Sequence, residues 1–207
     1  MAMDRDRIAD LAGEVLAVQP AARRSLIAIA GPPASGKSTL AAQLVAALNA
    51  GGAGAVLVPM DGFHLDNAIL AARGLLPRKG APETFDGAGF VHAIRRLRDE
   101  PEVILPTFDR SRDISIAGAI AIGPEQRIAV VEGNYLCFDE APWRDLGALW
   151  DYACFLQVPE DVLLDRLMER WLKHGLSRQE AEARARRNDL PNAARIASRV
   201  STVNRTL

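Results

Sequence analysis

One stretch of the 207-residue sequence restricts the fold more than any other: a short apolar run that leads into a glycine-rich turn. The run is SLIAIA at residues 25–30, and residues 31–38 read GPPASGKS. A continuous apolar run of this length is typical of a strand buried on both faces of a parallel sheet. The turn has the spacing G-x-x-x-x-G-K-[ST], in which backbone amides and the start of the next helix converge on phosphate oxygens. We therefore predict a strand, a phosphate-binding loop and a helix over about residues 37–49.

Each residue type in this loop has its own task. Gly31 and Gly36 let the backbone curl, Lys37 can reach the β- and γ-phosphates, and the Ser38 hydroxyl can coordinate Mg²⁺. The alternative, a glycine-rich turn with a solvated lysine, does not explain why the loop lies directly between a strand and a helix. The expected ligands are ATP and Mg²⁺. The expected nucleotide-binding residues of the loop are Gly31, Ala34, Ser35, Gly36, Lys37, Ser38 and Thr39.

The rest of the chain alternates between strand-like and helix-like segments. Strands are expected at residues 55–60, 127–131 and 151–158, and helices at 4–18, 66–73 and 88–99. Residues 103–108 and 114–122 are expected to form a peripheral hairpin. Strands that alternate with helices predict an α/β fold with a mainly parallel core sheet, arranged as a three-layer sandwich. We expect one domain over residues 1–207, with an N-terminal helix within residues 1–20.

From residue 160 onward the pattern is mainly helical. Ser177 is expected to cap the start of a new helix, with Glu180 at the third helical position. The segment NDLPN at residues 188–192 is expected to end that helix, because proline is a poor interior helix residue.

Composition excludes several classes of protein. The 25 Lys and Arg residues are balanced by 26 Asp and Glu residues, so there is no general basic surface for nucleic acid. No apolar stretch approaches the roughly 20 residues of a membrane span, and the charged N-terminal segment does not resemble a signal peptide. Cys137 and Cys154 are expected to be reduced thiols in the core. We therefore expect a cytoplasmic protein that binds neither nucleic acid nor membrane.

Two acidic residues follow predicted strands. Asp61 comes directly after the strand at 55–60, where the carboxyl end of a parallel strand faces a ligand crevice. A carboxylate at this position could orient a hydroxyl group or accept its proton during phosphoryl transfer. Glu132 follows the strand at 127–131 and could hold Mg²⁺ opposite Ser38. The alternatives are an ordinary turn aspartate and a solvated glutamate at a strand end.

Known signatures of other phosphate-loop classes are missing from the sequence. It contains no N-K-x-D or T-K-x-D element of a GTPase and no L-S-G-G-Q-like signature of a transporter ATPase. Small-molecule kinases and stand-alone ATPases remain.

Five segments together resemble one superfamily of kinases. They are GPPASGKS at 31–38, MDGFH at 60–64, RGLLPRKGAPETFD at 73–86, PTFDRSR at 106–112 and EG at 132–133. This set is similar to the uridine kinase, phosphoribulokinase and type I pantothenate kinase superfamily. The segments DGFHLDN and EGNYL are most similar to proteins labelled fructose transport system kinase. The resemblance covers most of residues 25–190.

The resemblance implies roles for individual residues. Asp61 matches the catalytic aspartate of the superfamily, and Glu132 matches its magnesium-side glutamate. The hairpin at 103–122 matches the substrate side. The implied substrate-binding residues are Asp61, His64, Arg78, Lys79, Phe108, Arg110 and Tyr135. Ordinary alternatives exist for some of them: Arg78 and Lys79 could be solvated, His64 could be satisfied by local backbone, and Phe108 could belong to the core.

The helical segment after the last predicted strand carries several cations. Arg166, Arg170 and Lys173, or His174 in place of Lys173, share one helix face through i, i+4 and i+3 spacing. Cations that close over a triphosphate would stabilise the charge on the transferred group. The alternative is a solvated face balanced by neighbouring acidic residues. The resemblance implies that residues 160–190 form a lid in which Arg170 contacts phosphate, and that Asn188 lies beside the adenine.

The sequence therefore predicts ATP- and Mg²⁺-dependent transfer of the γ-phosphoryl group to a hydroxyl of a small metabolite. Asp61, Lys37 and Arg170 are the expected catalytic residues, and Ser38 and Glu132 the expected metal-binding residues. A sugar or sugar-like alcohol is the expected acceptor, with pantothenate or a nucleoside as alternatives. An ATP-binding regulatory protein without an acceptor is the alternative from another class. The N-terminal helix or the hairpin could pair two copies as a homodimer.

Overall fold

The computed structural model describes residues 5–207. In chain order its strands are β1 Ser25–Ala30, β2 Ala55–Pro59, β3 Val103–Asp109, β4 Ile114–Ile122, β5 Ile128–Gly133, β6 Tyr152–Phe155 and β7 Arg205–Thr206. Its helices are α1 Arg5–Ala17, α2 Lys37–Ala50, α3 Asn67–Ala72, α4 Gly87–Asp99, α5 Glu160–Lys173, α6 Arg178–Arg184 and α7 Leu190–Ala197. The central sheet has the order β2-β5-β1-β6-β7, and all of its neighbouring strands are parallel. Strands β3 and β4 form a separate antiparallel hairpin.

Strand β1 shows why the middle of the sheet is apolar. Leu26 and Ala28 pack on one face, in a core that includes α4, whereas Ile27 and Ile29 pack on the other face against α1 and α2. Every residue of β1 and of β5 is buried. Helices therefore cover both faces of a parallel sheet, which confirms the predicted three-layer α/β sandwich.

The order of the strands brings three functional segments to one edge. Ala30, the last residue of β1, is aligned with Gly133 at the end of β5. Pro59, the last residue of β2, is aligned with Glu132. The carboxyl ends of parallel strands form the ligand crevice of such sheets. The phosphate loop, the turn after β2 and the end of β5 therefore border the same crevice.

Several element boundaries differ from the sequence-based predictions. Strand β2 ends at Pro59 because Met60–Phe63 form a turn of 3₁₀ helix. Strand β6 is shorter than the predicted 151–158, and the parallel two-residue strand β7 beside it was not predicted. Two residues are too few to show a periodicity. The first helix begins at Arg5, and residues 1–4 of the predicted N-terminal segment lie outside the described residues.

The prediction that NDLPN ends a helix is wrong. The chain stays helical from α6 through a π-helical turn, Ala185–Asp189, into α7. Pro191 lies in the first turn of α7, directly after the π-helical turn, a position in which proline is tolerated better than in the middle of an α-helix. The predicted start of α6 is confirmed, because the Ser177 and Glu180 side chains cap each other's backbone amides. No helix within residues 5–207 is long and apolar enough to cross a membrane.

Candidate active site

A cavity of about 660 Å³ lies at the carboxyl edge of the sheet. It is bordered by the phosphate loop, the turn after β2, residues 76–80, the tip of the β3–β4 hairpin, and α5 with the residues that follow it. Most residues predicted to act meet there. Those that line it are Ala34, Gly36, Lys37, Ser38, Thr39, Asp61, His64, Lys79, Phe108, Arg110 and Arg170.

The phosphate loop has the curled backbone that its sequence predicts. Ala34 and Gly36 both adopt positive φ angles, 62° and 96°, directly before α2. Gly31 and Ser35 do not line the cavity but shape the loop from behind, where a Cβ on Gly31 would lie 2.8 Å from the Ser35 hydroxyl oxygen. The start of α2 directs its unpaired amides and its positive dipole end toward the cavity. The loop can therefore hold a phosphate group.

Lys37 is the buried cation of this loop. Burial lowers the pKa of Lys37, and the carboxylates of Glu132 and Asp61 oppose that shift. Among residues 5–207, no carboxylate oxygen lies within 4.0 Å of its ammonium. Its charge is therefore available to a phosphate group.

Ser38 and Glu132 supply two oxygen atoms beside the loop. The Ser38 hydroxyl donates a hydrogen bond of 3.0 Å to the Glu132 carboxylate, whose residue is only 5% exposed. Burial raises the pKa of Glu132, while the Lys37 ammonium counteracts the increase. Hydroxyl and carboxylate oxygens are suitable ligands for Mg²⁺, which is usually completed by water and substrate phosphates. These two residues fit a nucleotide-bound Mg²⁺ ion.

Asp61 faces the cavity from the turn after β2, in an ion pair with Arg110 of the hairpin. Burial alone would raise the pKa of Asp61, but the neighbouring positive charges, that of Arg110 first and then that of Lys37, hold it below its usual value. The carboxyl group is therefore ionised at neutral pH. In that state it can accept a hydrogen bond from a hydroxyl group.

Two glycines make the position of Asp61 possible. A Cβ on Gly62 would lie 2.5 Å from the Pro106 carbonyl oxygen, so Gly62 lets strand β3 approach the turn. A Cβ on Gly133 would lie 2.5 Å from the Met60 Cβ, so Gly133 lets the turn pack on the end of β5. Both close approaches fix the turn that carries Asp61.

His64 lies between two aromatic rings, with ring centroids 4.0 Å from Phe85 and 4.6 Å from Phe108. Its Nδ1 atom lies 2.8 Å from the Asp61 backbone oxygen. A carbonyl oxygen only accepts, so Nδ1 carries the hydrogen and Nε2 of the neutral ring is an acceptor. Burial lowers the pKa of His64, which favours this neutral form. The ring can therefore accept a hydrogen bond from a ligand.

The segment after β6 places arginines on the opposite wall of the cavity. Arg166 donates hydrogen bonds to the Ala34 and Ser35 carbonyl oxygens, at 3.2 and 3.1 Å. Arg170 lines the cavity, and burial, followed by the nearby Arg110 charge, lowers its pKa. The ring centroid of Trp171 lies 5.3 Å from the guanidinium carbon of Arg170 and 4.5 Å from that of Arg184. This wall is rich in cations that face the phosphate loop.

Known proteins are similar to this chain in sequence and structure, although no family model matches it. The crystal structure of a candidate fructose transport system kinase from Silicibacter sp. TM1040 is 52% identical, with a TM-score of 0.91, over 97% of this chain and 98% of that chain. A candidate uridine kinase of Schizosaccharomyces pombe is 37% identical over 183 residues, 82% of this chain and 77% of that protein. The chain belongs to the uridine kinase and pantothenate kinase superfamily. It is an ATP-dependent small-molecule kinase.

A more distant relative is also named as a kinase. A pantothenate kinase of Chelativorans sp. is 28% identical over 158 residues, 72% of this chain and 49% of that protein. The kinases of this superfamily use ATP, typically with Mg²⁺, which agrees with the phosphate loop and the Ser38–Glu132 pair.

Besides Gly31, Ser35 and Glu132, three residues with predicted site roles do not line the cavity of this kinase. Tyr135 is fully buried, and its hydroxyl donates a 2.5 Å hydrogen bond to the Gly80 carbonyl oxygen. Arg78 is half exposed and forms an ion pair of 2.9 Å with Glu83. Asn188 is buried, and its amide donates to the Lys79 carbonyl oxygen at 3.2 Å. Each of these side chains is engaged by neighbouring protein groups.

Lys79 lines the cavity, but its ammonium group is fully engaged. It donates to the Asn67 side-chain oxygen at 2.7 Å, and it contacts the Asp113 carbonyl oxygen at 3.0 Å and the Asp113 carboxylate at 2.9 Å. An ammonium group has three hydrogens, so these three oxygens satisfy it. Lys79 therefore joins α3 to the hairpin tip of the kinase.

Several lining residues were not identified from the sequence, among them Asp113, Trp171, Arg184 and Asp189. Asp113 lies in a hairpin turn and belongs to none of the matched segments, so no sequence signal pointed to it. Trp171 follows Arg170 directly, and its indole donates a 2.7 Å hydrogen bond to Asp189. The expected helix break at 188–192 hid this contact, because a continuous helix is what brings Asp189 back to Trp171.

Proposed function

We propose that this kinase transfers the γ-phosphoryl group of MgATP to a hydroxyl group of a sugar or sugar-like alcohol. One observation carries the proposal: the Asp61 carboxylate lines the same cavity as Lys37 and Ser38 of the phosphate loop. A protein that only bound and released nucleotide would not need a carboxylate on the acceptor side. This distinguishes a kinase from an ATP-binding regulatory protein.

We assign a separate role in the reaction to each group of residues. Loop amides and Lys37 hold the β- and γ-phosphates, and Arg170 stabilises charge on the transferred group. Mg²⁺ held by Ser38 and Glu132 would neutralise part of the phosphate charge. Asp61 orients the acceptor hydroxyl and accepts its proton as the hydroxyl oxygen bonds to the γ-phosphorus. The bond from that phosphorus to the bridging oxygen breaks, and ADP leaves.

The acceptor side supports an alcohol with several hydroxyl groups. His64 Nε2 offers a hydrogen-bond acceptor, Arg110 offers donors, and Phe108 offers an apolar ring. A hydroxyl group both donates and accepts, so a polyol can satisfy such mixed partners. The name of the Silicibacter relative, a fructose transport system kinase, agrees with this choice. The names of other relatives keep nucleosides and pantothenate as alternatives.

A screen with MgATP tests the proposal. Sugars, sugar alcohols, nucleosides and pantothenate are added in turn, and both the melting temperature and the release of ADP are measured. A ligand that binds only the native state raises the melting temperature, so even a slow substrate registers. We expect at least one sugar or sugar alcohol to increase ADP release and to yield a phosphorylated product. Product from nucleosides or pantothenate alone would reject the sugar assignment, and no product from any acceptor would reject the transferase proposal.

A further inference from the structure

The charged residues of the cavity are not distributed evenly. Its acceptor half consists of the turn after β2, residues 76–80 and the hairpin tip, and its nucleotide half consists of the phosphate loop and the segment after β6. The acceptor half contains two cations, Lys79 and Arg110, and two carboxylates, Asp61 and Asp113. The nucleotide half contains four cations and two carboxylates. Lys37, Arg166, Arg170, Arg184 and Asp189 line the cavity, and Glu132, bonded to Ser38, lies beside the phosphate loop.

In the acceptor half, each cation is paired with a carboxylate. Arg110 forms an ion pair with Asp61, and Lys79 forms one of 2.9 Å with Asp113. The Lys79 side chain is only 9% exposed, whereas the Asp113 side chain is 54% exposed, so the cation of this second pair is buried and its carboxylate reaches solvent. His64 adds no charge, because burial lowers its pKa. The formal charge of the acceptor half is therefore zero at neutral pH.

In the nucleotide half, the cations have no such partners. Within the described part of the chain, none of the four has a carboxylate oxygen within 4.0 Å. The Nε atom of Arg184 is buried without a hydrogen-bond partner. The one carboxylate that lines this half, Asp189, accepts a hydrogen bond from Trp171, and burial raises its pKa. Surplus positive charge is thus confined to the wall that would meet a triphosphate.

We infer that the acceptor of this kinase is an uncharged molecule, selected against carboxylate- or phosphate-bearing alcohols by the two compensated ion pairs. The inference rests on the proposed function and specifies its substrate. An anionic acceptor would compete with a carboxylate for the cation of each pair. Drawing Arg110 away would leave the Asp61 carboxylate, whose side chain is only 18% exposed, unpaired. An uncharged polyol can hydrogen-bond to both members of each pair without separating them. Pantothenate, sugar acids and sugar phosphates are therefore excluded, and neutral sugars and nucleosides are retained.

Acceptor pairs that differ in one charged group test this inference. Suitable pairs are pantothenol and pantothenate, glycerol and glycerate, ribitol and ribonate, and fructose and fructose 6-phosphate. We measure kcat/KM for each member by formation of phosphorylated product from MgATP. In every pair that yields product, we expect the neutral member to be favoured at least about tenfold. Preference for an anionic member overturns the inference but leaves the kinase proposal intact. No product from any member overturns the kinase proposal as well.

A substitution at Asp113 tests the cause of the preference. Asp113 has a positive φ of 56°, a conformation that asparagine tolerates well, so Asp113→Asn removes the charge while preserving the turn. The Lys79 charge would then be uncompensated, and we expect the preference for neutral acceptors to fall about tenfold. The control is Asp139→Asn, which removes a carboxylate paired with Arg144 on the surface. An unchanged preference in Asp113→Asn, equal to that of the control, would refute the role of the compensated pair.

Discussion

Replacing Arg24 by methionine should destabilise the protein strongly. Arg24 lies directly before β1 and is only 1% exposed. Its guanidinium donates five hydrogen bonds to backbone carbonyl oxygens, at 2.5–2.9 Å. The acceptors belong to residues 97, 100, 101, 123 and 126, which lie at the end of α4 and around the start of β5. One side chain thus ties the start of β1 to two neighbouring connections.

The loss of stability depends on how many carbonyl oxygens lose their hydrogen-bond donor. Methionine would fill much of the volume but would donate no hydrogen bond. An unsatisfied buried polar group costs about 1–3 kcal/mol, although partly buried carbonyls recover some of that from water. If two of the five oxygens stay unsatisfied, the free energy of unfolding falls by about 2–6 kcal/mol. For a protein of this size each kcal/mol lowers the melting temperature by about 2–4 °C, so we expect a decrease of roughly 4–24 °C.

Thermal unfolding by circular dichroism and urea titration measure this change. The neighbouring Arg23 is exposed and provides the matched control, because Arg23→Met should alter stability by no more than about 0.5 kcal/mol. If Arg24→Met melts within 1–2 °C of the wild type, which is roughly the shift of 0.5 kcal/mol, the five carbonyl oxygens do not depend on this guanidinium.

Three further predictions concern the active site. Arg110 contributes to the lowered pKa of Asp61. Arg110→Met should therefore move the acidic limb of the pH profile of kcat/KM to higher pH. If that limb does not move, Asp61 is not the group that titrates. Gly133→Ala should displace Met60 and, with it, the turn that carries Asp61. We expect kcat to fall more than the affinity for ATP. Kinetics identical to those of the wild type would show that the close approach of Gly133 to Met60 is not needed. Lys37→Ala should reduce kcat/KM for ATP by about 10²-fold or more, and unchanged kinetics would contradict the assigned phosphate loop.

The parts that were predictable have strong local signals. The apolar run of β1 and the glycine spacing of the phosphate loop leave few alternatives to a buried strand and an anion-binding turn. The position of Asp61 follows from the rule that the carboxyl ends of parallel strands share an edge. The hairpin was predictable because both of its strands are long enough to show alternation.

Other features of the structure depend on contacts between distant segments and have no local signal in the sequence. Tyr135 lies in a segment that matches the superfamily, but its hydroxyl is engaged by Gly80, a partner 55 residues away. Asn188 is likewise bound to Lys79, 109 residues away. The helix that continues past Pro191 is stabilised by a small apolar core of its own, which includes Leu167 and Leu190. Sequence patterns report local preference, and tertiary contacts decided these cases.

The central claim is that the Asp61 carboxylate acts on an acceptor hydroxyl beside a bound triphosphate. Asp61→Asn tests it most directly, with ATP affinity and single-turnover phosphoryl transfer measured on the same preparation. We expect ATP affinity to change by less than about threefold and transfer to an acceptor identified in the screen to fall by about 10²-fold or more. Transfer at the wild-type rate in this variant would contradict the account.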